Sequence, residues 1–198
     1  EIAEKQKHIQ MQGVTWSYLA LLFLLPARAN PQSSLECALR ALKLADEDTK
    51  QRYSHPSDYV RARWLLGSAY RANDQLTLAE DNLSKALNLC RQINMVDHEA
   101  DTLLDIARLR YAQSDFNDAQ EKASEALLIT ERCGYVLQGA DVNLFLAQYA
   151  LEQEKDKAKA KEYAEEALKL ATCDGPPYYY KVAYEEAEWM LERLKSEG

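Results

Sequence analysis

Glycine and proline are scarce here, with six and five among 198 residues. That scarcity argues against a turn-rich all-β fold, which needs chain breakers between short strands. Histidine is rarer still, and His8, His55 and His98 form no HExxH-type spacing for a metal. The four cysteines, Cys37, Cys90, Cys133 and Cys173, lie far apart and make no CxxC. They read as reduced, buried residues that pack as small apolar groups, not as a disulfide framework. Excess positive charge is also missing. A net charge of −8 removes the basic face that direct nucleic-acid binding wants and reads instead as a solubility feature. No GxSxG, no GxxxxGK[ST] and no supported Cys–His pair occurs, so the expectation is a non-enzyme with no catalytic residue, no metal and no cofactor.

What is present favours helix. Apolar residues make up 47% and charged residues 28%, which excludes a disordered chain. Alanine, leucine, glutamate and lysine dominate, and each is a good helix former. Four segments then repeat one ladder of small and apolar residues at x, x+4, x+7, x+8 and x+11. They are Ser34/Ala38/Ala41/Leu42/Ala45, Ala79/Leu83/Ala86/Leu87/Cys90, Ala119/Ala123/Ala126/Leu127/Thr130 and Ala160/Ala164/Ala167/Leu168/Ala171. Those offsets share one face of a 3.6-residue helix, and small residues at x and x+7 admit a close neighbour. The ladders start 45, 40 and 41 residues apart, a period that marks a repeat architecture.

Ahead of the later ladders sits an apolar–small pair: Leu66-Gly67, Ile106-Ala107 and Leu146-Ala147, preceding them by 12, 12 and 13 residues. Helix-start signals lie between, at Asn73-Asp74, Ser114-Asp115 and Lys155-Asp156. Each unit is therefore expected to be helix A, a tight turn and helix B, stacked on its neighbours.

The stretch MQGVTWSYLALLFLLPARAN, residues 11–30, imitates an export signal. However, Met11 is preceded by acidic as well as basic residues, no positive charge separates it from the apolar run, and the run is too short to span a bilayer. EIAEKQKHIQMQGVTWSYLALLF also aligns without gaps on LITERCGYVLQGADVNLFLAQYA, placing Ile2 on Ile129, Glu4 on Glu131, Lys5 on Arg132 and Leu19-Ala20 on Leu146-Ala147. The run is thus read as helix A of the first repeat, and residues 1–6 as the tail of an earlier helix B in a longer, cytoplasmic protein. Pro26 should end that helix, with Asn30-Pro31 as N-cap and N1 of the next.

The expected division is one domain: repeats over 7–46, 57–93, 96–133 and 136–172, then a capping helix at 177–196. Five extra residues around DEDTKQRYSHPSD predict a surface loop at 46–57. The last helix should bury Val182, Ala183, Ala187, Met190 and Leu191, with Tyr178, Tyr179, Tyr180 and Tyr184 half-buried beside it.

ARWLLG followed by NDQLTLAEDNLSKALNL closely resembles the tetratricopeptide repeat. The W-x2-L-G-x2-Y and A-x3-F-x2-A pattern of that family is met at Leu66, Gly67, Tyr70, Ala79, Leu83 and Ala86. Repeats three and four carry Arg110 and Ala150 where the tyrosine belongs, and the 40-residue period marks a longer-helix variant. The resemblance implies an all-α fold, a right-handed superhelical solenoid of antiparallel helix pairs, and a protein or peptide partner held on the inner face of the A helices. The inner positions it implies are Arg61, Trp64, Ser68 and Arg71; Asp101, Leu104, Arg108 and Tyr111; and Asp141, Leu144, Gln148 and Leu151. Chaperone adaptors of this fold hold a C-terminal carboxylate with Lys and Asn where this chain has Trp64/Ser68, Leu104/Arg108 and Leu144/Gln148, which argues against a chaperone tail. Two phrases, ITERCGYVLQGADVNLFLAQYAL and ATCDGPPYYYKVAYEEAEWML, are similar to the C-terminal repeat array of STAND-class signalling ATPases, relatives of NACHT and maltose-regulator proteins. That likeness implies a ligand-sensing array with further domains upstream in the same polypeptide. An inducer- or peptide-binding domain of a transcriptional regulator and a ligand-free, purely structural assembly subunit are the competing expectations.

Overall fold

Each ladder folds as a helix whose small residues face inward, and the computed structural model describes residues 8–51 and 53–196. The expected tail at residues 1–6, with the Ile2, Glu4 and Lys5 alignment, lies outside them. Among the described residues the helices are α1 (Ile9–Leu22), α2 (Pro31–Gln51), α3 (Pro56–Ala72), α4 (Leu76–Ile93), α5 (Val96–Ala112), α6 (Phe116–Cys133), α7 (Val136–Tyr149), α8 (Lys157–Thr172) and α9 (Lys181–Ser196), and no strand is present. They form two compact units divided within α5, between Leu109 and Arg110.

In the first unit, α1 pairs with α2 and α3 with α4. Ser34, Ala38, Ala41 and Ala45 of α2 are buried, as are Ala79, Leu83, Ala86 and Cys90 of α4. In the second unit α7 pairs with α8, and α9 packs on α8. Ala119, Ala123, Ala126 and Thr130 of α6 are buried, and Ala160, Ala164, Ala167 and Ala171 of α8 are fully so. The x+8 leucines are half-buried in all four, because that position lies at the edge of the stripe. Gly67 is the tightest approach: a Cβ there would meet Leu83 Cγ at 2.6 Å and Cδ2 at 2.9 Å.

The turns follow local chemistry. After Leu22 the chain makes a short 3₁₀ turn at Pro26–Arg28, and Asn30 Oδ1 accepts from the Ser33 amide at 3.0 Å, which is the N-cap the sequence predicts. Ser34 Oγ donates to the Ala20 carbonyl at 2.9 Å, so a buried hydroxyl satisfies the end of α1. Asp115 and Asp156 cap α6 and α8 through the amides of Asp118 and Lys159. At the α3–α4 turn the cap is Gln75 and not Asn73-Asp74. Asp74 takes a left-handed φ of 59°, which its short polar side chain tolerates at modest cost, and Ser114 at 63° and Lys155 at 57° hold the same conformation at the matching turns.

Two departures have physical causes. The expected 46–57 loop is largely helix: α2 continues to Gln51, because Asp46–Gln51 holds no breaker. Tyr59 of α3 fastens this extension, donating to Asp46 Oδ1 at 2.8 Å and lying 3.1 Å from Thr49 Oγ1. The second departure ends α7. Residues Ala150–Glu154 wind as a π turn, which takes up one surplus residue. Gly67 and Ala107 lie seven residues before their left-handed turn residues, whereas Ala147 lies eight before Lys155. The extra residue explains the 13-residue spacing of the fourth repeat.

α9 buries Ala183, Ala187 and Met190 as expected, while Val182 and Leu191 are only half-buried. Cys37 and Cys90 are buried, but Cys133 and Cys173 are exposed. Both sit at helix ends, past the inward stripe.

Candidate partner-binding site

In the first unit the inner positions of α3 converge on a residue the sequence reading passed over. Trp64 Nε1 donates to Asp105 Oδ2 at 2.7 Å, and Ser68 Oγ donates to the same oxygen at 2.5 Å. Arg108 donates to Oδ1 at 3.1 Å, and Arg71 lies 3.6 Å from it. Asp105 is 5% exposed. Burial pushes its carboxyl upward, but the guanidiniums of Arg108 and Arg71 and the bonds from Ser68 and Trp64 outweigh it, holding the group below the usual carboxylate range. Arg71 in turn is lowered by burial, with Asp105 opposing that shift.

Arg61, one turn before Trp64, donates to Asp58 at 3.2 Å. Its Nε is buried without a hydrogen-bond partner, as is that of Arg71. The Trp64 ring meets His98 edge-on at 5.6 Å, and burial, ahead of the opposing Asp97, lowers the His98 pKa. A cleft beside Arg61 is floored by Gly13, Ser17, Ala41 and Ala45. Its empty volume of about 220 Å³, open solvent included, falls below the roughly 300 to 1,000 Å³ of small-molecule sites.

Ser68 is fully buried and Leu104 nearly so, so both belong to the packing and neither offers a side chain to a partner. Asp101 is half-buried. The cations among the inner positions of this unit are therefore Arg61, Arg71 and Arg108, with Trp64 between them. Arg108, with 37% of its side chain exposed, reaches solvent most freely of the three.

In the second unit Tyr111 is a joint. Its hydroxyl donates to Glu152 at 2.5 Å and accepts from Gln153 at 2.8 Å. The widened turn at Ala150–Glu154 brings both consecutive residues onto that one oxygen. Phe116, Phe145 and Tyr149 meet the Tyr111 ring edge-on. Asp141 accepts from Tyr180 at 3.0 Å. Leu144 is buried among Ala167, Ala171, Ala183 and Ala187, and Leu151 is buried among Ala160, Ala164 and Met190. Gln148 alone of this set is well exposed, and it donates to Glu152 at 3.2 Å.

Asp105 had a visible signal. It sits two residues before the small residue Ala107, where the neighbouring repeats carry Leu65 and Phe145. An acid in an apolar register marks a buried polar node. Among the described residues no group of three or more His, Cys, Asp or Glu is placed to hold a metal ion, and no helix is long and apolar enough to cross a membrane.

A tetratricopeptide repeat family model matches residues 58–132. Those residues are α3 through α6 almost in full, so the matched segment is the part that carries Trp64, Gly67, Asp105 and Arg108. The crystal structure of BtubC (BKLC) from P. vanneervenii is similar over 98% of this chain and 83% of that one, with a TM-score of 0.68 and 18% identity. At that identity the likeness shows the fold alone. Together the two findings support an all-α repeat solenoid. No curated protein matches the sequence.

Proposed function

We propose that the chain is a protein- or peptide-binding module and that the first unit holds its partner along the Arg61–Trp64–Arg71–Arg108 edge. Tetratricopeptide repeats generally mediate protein–protein interaction. The observation that carries the assignment is the Asp105 node. One buried carboxylate fixes Trp64 and two arginines in place, so their rotamers are set before a partner arrives, which lowers the entropy cost of binding. Arginine and tryptophan are also the residues that most often dominate interface energetics. Within this reading the module is the sensing part of a larger cytoplasmic signalling protein, supported by the two C-terminal phrases that resemble STAND-class arrays.

The test is a synthetic peptide array probed with the labelled chain and with Arg108→Ala and Arg71→Ala. Signal lost in both variants, with unchanged far-UV helicity, supports the edge. Identical binding patterns for all three proteins place the site elsewhere.

A further inference from the structure

His98 stands nine residues before the small residue Ala107, where the other repeats carry Met11, Asp58 and Gln138. Only in α5 does this register hold a side chain whose ordinary pKa lies near neutrality. His98 also falls in the first turn of α5, beside Asp97 and Glu99, where the positive end of the helix dipole disfavours a cation. Its carbonyl accepts from Thr102 Oγ1 at 2.6 Å, so the backbone is pinned and the side chain alone can answer a proton.

That side chain is 15% exposed. Its ring stands nearly perpendicular to the Trp64 indole, at 81° with 5.6 Å between centroids. Nδ1 is buried without a hydrogen bond, although Asp97 Oδ2 lies 3.0 Å away. From α3, His98 feels the positive charge of Arg61, which adds to the burial that disfavours the imidazolium, and only Asp97 opposes them. The other charges nearby are already engaged: Asp58 pairs with Arg61, Glu99 with Arg91 of α4, and Asp105 with Arg71 and Arg108. Cys90 of α4 reaches this part of α5 through Thr102, and its thiol, pushed up to about 11 by burial, carries no charge at neutral pH. A neutral imidazole therefore suits this place and an imidazolium does not.

We propose that His98 is a proton-operated prop for Trp64: neutral, it backs the indole, and protonated it turns outward and leaves the indole held by Asp105 alone. On the reading of the Arg61–Trp64–Arg71–Arg108 edge as the docking site, the molecule grips its partner at neutral pH and slackens in mild acid. The pKa of His98 lies below the ordinary 6.5, while those of Asp97 and Asp105 lie below 3.8. The change thus falls at higher pH than the titration of either carboxylate.

The test follows the Trp64 indole N–H resonance of the 198-residue chain from pH 7.5 to about pH 4, with Trp64→Phe used to assign it. The expected result is one transition below about pH 6.5, coincident with the titration of His98 and absent in His98→Gln. In Asp97→Asn its midpoint should move to lower pH, because the charge that favours the imidazolium is gone. Far-UV helicity identifies a variant that fails to fold, and the other one then decides. A transition that persists in His98→Gln overturns the proposal, as does an indole signal that ignores the His98 titration or a midpoint unmoved in Asp97→Asn. So does a His98 that titrates above about 6.5, which would mean that the indole face welcomes the charge as a cation–π contact. No partner is present in this experiment, so its failure is distinct from failure of the docking edge, which the peptide array at fixed pH decides.

Discussion

Replacing Asp105 with alanine would strand four partners at once. Arg71 and Arg108 would lose the carboxylate that offsets their charge, while the Trp64 indole and the Ser68 hydroxyl would lose their acceptor. Removing one member of a buried charge network costs about 3 to 5 kcal/mol, and chemical denaturation of Asp105→Ala should show a loss of that size. The same residue dictates a pH response. Its folded pKa lies below the unfolded value of about 3.9. The stability it contributes is therefore fully present above that pH and is lost as the pH falls through the folded pKa. Denaturation midpoints for the wild type should drop in strong acid, and Asp105→Ala should lack that part of the decline. At this scale the sequence was only half legible. The resemblance placed Trp64, Arg71 and Arg108 on one face, but it could not show that they meet on a single oxygen pair. That meeting depends on α3 and α5 lying side by side, a fact of tertiary packing. Ser68 and Leu104 were placed at a surface for the same reason: an inner-face register does not say how deep a side chain sits.

A helix pair depends on how closely its axes approach, and at Gly67 the α3 backbone leaves no room for a side chain against α4. An added Cβ would sit 3.1 Å from the Ala79 carbonyl as well as inside the Leu83 side chain. Leu83 is fully buried, so it has nowhere to swing. Gly67→Ala should destabilise the protein by about 1 to 3 kcal/mol, the usual range for overpacking, despite alanine's better helix propensity. A thermal melt that rises or holds steady would show the pair to be looser than the contacts imply. Elements were the most legible level. The four ladders and the Asn30 cap are written in side-chain spacing, and spacing is what a helix converts directly into a face. The expected loop at 46–57 failed on the same logic, since surplus residues with helical propensity prolong a helix as readily as they leave it.

For the whole molecule, charge and composition were readable while relations between distant parts were not. Thirty-two acidic against twenty-four basic residues give an isoelectric point near 5.0. Solubility should therefore pass through a minimum near pH 5, where mutual repulsion vanishes; light scattering across a pH series checks this, and a minimum near neutrality would contradict it. The all-α repeat class could be read from a 40-residue period and a handful of small residues, and a family model finds the same signal over 58–132. The division inside α5 left no comparable trace, because the helix runs through it without a breaker. The π turn at Ala150–Glu154 has a consequence for how such a chain can change length. By widening one turn, the helix takes up an added residue at the cost of local hydrogen-bond geometry, while Lys155 still opens the turn and Ala160 still begins a buried stripe. An insertion that would otherwise rotate every later contact by about 100° is absorbed where it occurs. Here the repeat can gain a single codon without losing its phase.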